Sequence, residues 1–88
     1  MLDENRGIYI GDNGNIIELT PEEVRIMELL INNRGMIVSH KVFSKEIYRC
    51  EPDKYVICAI RLRIQRLRKK FKNEFKIYNR YELGYYII

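Results

Sequence analysis

The sequence predicts an α+β fold: three helices set between an N-terminal β-hairpin and a C-terminal β-hairpin. Three observations carry this. Apolar residues recur at helical spacing in three stretches, the last and longest over about 55–71. Short β-prone runs flank turn residues at both ends of the chain, in 8–19 and 75–88. The 88 residues are enough for one core only, so residues 1–88 read as a single domain. Within it, about 1–19 form an N-terminal β-region, 20–71 a three-helix core and 73–88 the closing hairpin.

Ile8-Tyr9-Ile10 and Asn15-Ile16-Ile17-Glu18-Leu19 are the first two strands, with Gly11-Asp12-Asn13-Gly14 as the turn. The first helix starts at Thr20-Pro21-Glu22-Glu23. Thr20 is the N-cap, Pro21 suits the first helical position, and Glu23 closes a capping box. Leu19 and Val24 stand in the positions of a hydrophobic staple. Val24, Met27, Leu30 and Ile31 form the buried face, and Asn33-Arg34-Gly35 ends the helix. Glu22 and Glu23 complement the helix dipole; they are not an acid/base pair. Met36-Ile37-Val38 is a short strand or extended link. Ser39 then caps a second helix of about ten residues with Val42, Phe43, Ile47 and Tyr48 as its apolar positions. His40, a lone histidine, reads as a surface residue.

Cys50-Glu51-Pro52-Asp53 breaks that helix, and the third runs from about Tyr55 to Phe71. At about 100° per residue, Val56, Ile57, Ile60, Ile64, Leu67 and Phe71 share one stripe, which faces the core. The opposite arc holds Cys58, Arg61, Leu62, Gln65, Arg66 and Lys69. Arg63 and Lys70 lie on one flank and Arg68 on the other. Phe75–Arg80 and Gly84–Ile88 are the last two strands, with Tyr81-Glu82-Leu83 at the turn.

The net charge is only +4, but it is unevenly placed. Residues 54–72 hold eight basic side chains and no acidic one, whereas residues 1–53 carry ten acidic against six basic. A solvated helix face usually mixes signs. A one-sign stripe is the footprint of a polyanion. Because the apolar stripe is needed for the core, no lipid-facing surface remains, and a membrane is excluded as partner. An RNA helix is disfavoured because its deep major groove does not admit an α-helix. Leu62, ringed by Arg and Gln, is suited to a thymine methyl, and Arg66 to a guanine edge.

No phosphate-binding glycine loop, nucleophile elbow or metal constellation is present, so the chain is not read as an enzyme. No cofactor, metal or small-molecule substrate is expected. Two cysteines make no disulfide scaffold, and Cys58 reads as a small residue permitting close approach, not a redox switch. The N-terminus lacks a secretory apolar stretch, which places the chain in the cytoplasm.

Three helices followed by a β-hairpin describe a winged helix-turn-helix, with the third helix entering the major groove of double-stranded DNA and the hairpin wing touching the adjacent backbone or minor groove. The alternative is a winged-helix protein-interaction module, which would carry mixed charge on helix three and a large apolar patch. Leu19-Thr20-Pro21-Glu22-Glu23, Asn33–Ser39, Ile64–Phe71 and Gly84-Tyr85-Tyr86-Ile87 together resemble the OmpR/PhoB family of DNA-binding effector domains, over roughly residues 2–88. The resemblance implies the output domain of a two-component response regulator, which regulates transcription. It also implies a domain that is monomeric alone and forms a head-to-tail dimer on direct repeats. The loop between helices two and three, about Arg49–Lys54, would touch RNA polymerase. The DNA-binding set is then Arg61, Leu62, Arg63, Gln65, Arg66, Arg68 and Lys69 on the helix, with Arg80 and Tyr81 on the wing.

Three departures from the family pattern stand out. Less β-structure is expected before the first helix than is usual. No receiver domain, and so no phospho-acceptor aspartate, is present in these 88 residues. Arg61 and Arg63 stand where the family often has Asp and His, and Tyr81-Glu82 where it has a basic residue and Gly. Arg80 would then replace the wing's basic contact, with Tyr81 on a sugar.

Overall fold

The computed structural model describes residues 1–88. Strands β1 (Leu2–Asp3), β2 (Ile8–Ile10) and β3 (Ile16–Glu18) form an antiparallel sheet in that order. Leu2 pairs with Tyr9, and Tyr9 in turn with Ile17. The expected hairpin is therefore the larger part of a three-stranded sheet. Its extra strand is two residues long, too short to show an alternating pattern, and forms because Leu2 packs against the core.

Helix α1 (Pro21–Asn32) begins as its sequence dictates. The Thr20 hydroxyl accepts from the Glu23 amide at 3.2 Å, and the Thr20 amide donates to Glu23 Oε1 at 2.9 Å. Ile26, Met27 and Leu30 are completely buried, with Ile26 added to the expected face. Strand β4 (Val38–Ser39) follows, and the Ser39 hydroxyl caps α2 (His40–Phe43) through the Val42 amide. This helix continues as one π turn, Ser44–Tyr48, and stops at Arg49, whose φ of 54° is left-handed. The expected ten-residue helix is thus regular only in its first turn. Phe43 and Ile47 both reach the core.

Asp53 caps α3 (Lys54–Lys70) by accepting from the Val56 amide at 2.9 Å. Ile60, Ile64, Leu67 and Phe71 are buried as the stripe requires, while Val56 and Ile57 are half-buried. The chain then runs irregularly to Ile77. Phe75 and Ile77 pack inward instead of extending a strand, so β5 is only Tyr78–Arg80 and β6 only Gly84–Tyr86. The C-terminal hairpin gains a third member, since β6 lies between β4 and β5 and Val38 pairs with Tyr85. A Cβ on Gly84 would lie 2.0 Å from the Val38 carbonyl oxygen, so only glycine permits this approach.

Two aromatic clusters close the core. Tyr9 meets Phe71 edge-on at 5.0 Å and Phe75 at 5.8 Å, fastening the N-terminal sheet to the end of α3. Tyr85 meets Phe43 and His40, fastening the wing to α2. His40, expected at the surface, is half-buried by this contact.

Lys70 Nζ donates to Glu23 Oε1 at 2.7 Å and to the Glu18 carbonyl at 2.9 Å. Burial alone would raise the Glu23 carboxyl, but the hydrogen bonds from Lys70 and the Thr20 amide outweigh it and hold it below the ordinary glutamate range. A carboxyl depressed in the folded state stabilises fully above its unfolded pKa of about 4.3, and that contribution is lost as the pH falls through the folded value. The parent should therefore lose stability on acidification below about pH 4.3, whereas in Glu23→Gln the contribution should be absent at neutral pH and the acid dependence shallower. Urea midpoints measured across pH 2–7 check both.

Candidate nucleic-acid interface

The direction of each basic side chain follows from the buried stripe of α3. With Ile60, Ile64 and Leu67 turned inward, Arg61, Leu62, Gln65, Arg66 and Lys69 project outward, and all five are exposed. Leu62 is 54% exposed, the apolar member of a polar arc. None of Arg61, Arg66 and Lys69 has an acidic partner; the three ion pairs of the domain are Arg6–Asp3, Arg63–Glu22 and Lys70–Glu23. The arc therefore keeps its positive field for a ligand.

The wing stands beside this arc. Arg61 from α3 and Asn79, Tyr81 and Glu82 from the β5–β6 hairpin line one cleft together with His40. Tyr81 is 80% exposed at the hairpin tip, and Arg80 is exposed next to it. Glu82 takes a left-handed φ of 58° to make the turn. Burial, and then the nearby Arg61 charge, lowers the His40 pKa, so the imidazole is neutral at physiological pH. Its part in lining this cleft had no sequence signal, because the approach of α2 to the wing depends on the β4–β6 pairing.

Arg68 occupies the opposite flank. Its Nε donates to the Ile77 carbonyl at 3.0 Å, and its guanidinium lies 6.0 Å from the Tyr85 ring centre. It joins α3 to the root of the wing and is exposed. Arg63 is placed differently from its neighbours. Its Nε donates to Glu22 Oε2 on α1, with the Tyr48 hydroxyl close to the same carboxylate. Burial, then the Glu22 carboxylate, pushes the Tyr48 hydroxyl up to about 12. Of the nine residues expected to face DNA, eight are exposed along the α3 arc, its Arg68 flank or the wing; Arg63 is half-buried against α1.

A helix-turn-helix with a bare basic arc and a three-stranded wing beside it defines a winged-helix DNA-binding domain. The family described as transcriptional regulatory protein, C terminal, matches residues 14–87, and the chain belongs to that family, the OmpR/PhoB-type DNA-binding output domains of response regulators. The DNA-binding domain of CssR from Bacillus subtilis is 25% identical with a TM-score of 0.84, over 100% of this chain and 98% of that one. That of CpxR from E. coli is 26% identical with a TM-score of 0.81, over 98% and 86%. The DNA-binding domain of the response regulator AdeR, solved in complex with an intercistronic region, shares the fold at 17% identity and a TM-score of 0.79, over 99% and 91%.

Removing the Arg68 guanidinium should loosen the wing. Arg68→Ala is expected to cost about 1 kcal/mol, the net worth of one hydrogen bond to a charged donor that is partly open to water. The measurement is the chemical-denaturation midpoint, with faster amide exchange expected across Tyr78–Tyr86.

Proposed function

We propose that the domain regulates transcription by seating α3 in the major groove of a specific double-stranded site, with the wing on the adjacent backbone. The observation that supports this best is the exposed arc of Arg61, Leu62, Gln65, Arg66 and Lys69, basic and free of acidic partners. Arg66 projects from the middle of the helix and is the candidate for a bidentate guanine contact. Lys69 lies nearer the C-terminal end and takes a phosphate. Arg68, Arg80 and Tyr81 hold the backbone from the wing side, and Leu62 packs on a thymine methyl. Arg61 shares the wing's cleft, and Gln65 faces the groove floor. The domain acts by binding and not by catalysis, in the cytoplasm; no helix is long and apolar enough to cross a membrane.

Seven basic residues and no acidic one along α3 imply about 4–7 neutralised phosphates, so log K should fall against log[salt] with a slope of roughly −4 to −6. A slope near zero on every duplex would overturn the DNA reading. On the cognate site Arg66→Ala should cost about 1–3 kcal/mol and little on random DNA, while Lys69→Ala should weaken both alike.

The family resemblance supports a monomer in solution that assembles head-to-tail on direct repeats, N-terminal sheet against the wing side of the next copy. It also supports a contact with RNA polymerase through residues 49–54. Two copies on one face of the duplex raise each other's effective concentration. Cooperativity on repeats spaced ten or eleven base pairs apart should therefore collapse at a spacing of about fifteen, half a turn out of phase. Equal cooperativity at every spacing, or a stable dimer by light scattering without DNA, would refute this assembly.

A further inference from the structure

Beside the DNA-facing arc lies a cleft of about 400 Å³ between the N-terminus of α1 and the flank of α3. Arg25, Arg63, Arg66 and Lys70 line it, and so do Glu22 and Glu23. Four cations at a helix N-terminus would make an anion seat if left bare. They are not bare. Glu23 takes Lys70, and Glu22 takes Arg63. The two pairs differ in depth. Glu23 is 2% exposed and belongs to the core, whereas the Glu22 and Arg63 side chains are 26% and 33% exposed and stand at the rim.

Arg63 lies one helical turn before Arg66, on the flank next to the outward arc. A guanidinium at that position, unheld, would swing toward the nearest phosphate of a duplex docked on α3. Glu22 presents a carboxylate in its place, and the half-buried Tyr48 hydroxyl lies beside the same carboxylate. We infer that Glu22 is an intramolecular competitor for DNA: it holds Arg63 off the phosphate backbone and so limits the affinity of the domain for DNA of any sequence. This rests on the DNA-binding reading above. The gain is discrimination. A phosphate contact tightens binding to every sequence alike, so an occupied Arg63 leaves a larger share of the binding free energy to the base contacts of α3.

The experiment is fluorescence anisotropy on a random-sequence duplex between 50 and 200 mM salt, with parent, E22Q, E22D and E22Q/R63Q, each checked by thermal melting. In E22Q the freed guanidinium should add one phosphate contact. The slope should then steepen by about 0.9 and affinity at 0.1 M salt should rise by up to about eightfold. E22D keeps the charge but withdraws the carboxylate by one methylene, and should fall between parent and E22Q. E22Q/R63Q should return to the parent slope, because the steepening requires the guanidinium. An E22Q slope equal to the parent's overturns the inference, whatever the affinity does. So does a steepening that persists in E22Q/R63Q, which would reflect only the lost negative charge. A parent that binds no duplex in a salt-dependent way removes the DNA reading itself and this inference with it.

Discussion

Glu23 is the joint on which the orientation of α3 depends. Its carboxylate accepts from the Thr20 amide, which starts α1, and from Lys70, which ends α3. Lys70 reaches on to the Glu18 carbonyl, the last residue of β3. One buried carboxylate and one ammonium thus connect the N-terminal sheet, the first helix and the recognition helix. Leaving the carboxylate alone in this place would be costly, since Glu23 is buried and a buried ion without its partner is not solvated, whereas Lys70 is open to water. The pair therefore resists rotation of α3 about its own axis. The apolar stripe sets which side of α3 faces in, and Lys70 settles how its C-terminal turn meets α1.

Once α3 is fixed, the rest of the DNA-binding surface follows. Its outer side carries basic residues and no acidic one, and ten of the twelve acidic residues of the domain lie in the first 53 positions. The wing is held to the same frame twice, by Tyr85 packing on Phe43 and by Arg68 reaching the Ile77 carbonyl. Helix and wing are therefore tied through packing and through one side-chain hydrogen bond, which sets where Arg80 and Tyr81 stand relative to the outward arc of α3.

Much of this frame was legible in the amino-acid order. Thr20 and Ser39 both cap the helices that their side chains and positions suggested. The stripe from Ile60 to Phe71, buried as its spacing requires, sets the exposed arc. What escaped was tertiary. Leu2–Asp3 and Val38–Ser39 are strands only because partners lie beside them, and two residues carry no period. The π turn at Ser44–Tyr48 has no signal in the residue order, since Phe43 and Ile47 are spaced for an ordinary helix. His40 looked like a surface residue because nothing in its neighbours announces Tyr85. Arg63 could be put on a flank by its helical angle, but the angle says nothing of Glu22, 41 residues away on another helix.

The placement of Arg63 has a physical reason beyond chance proximity. Arg63, Arg66 and Lys70 occupy successive turns on one side of α3, at i, i+3 and i+7. Like charges spaced three or four residues apart each destabilise a helix by about 0.2–0.5 kcal/mol. A flank made wholly of bare cations would fray the helix that must stay rigid to read DNA. Glu22 and Glu23, side by side in the first turn of α1, neutralise the outer two and leave the middle one. They do so from a helix N-terminus, where carboxylates are already favoured. Arg66 is thereby the one unpaired cation of the three, flanked by neutralised neighbours and directed outward. The same two glutamates that start the first helix thus determine which cation of this flank is left unpaired.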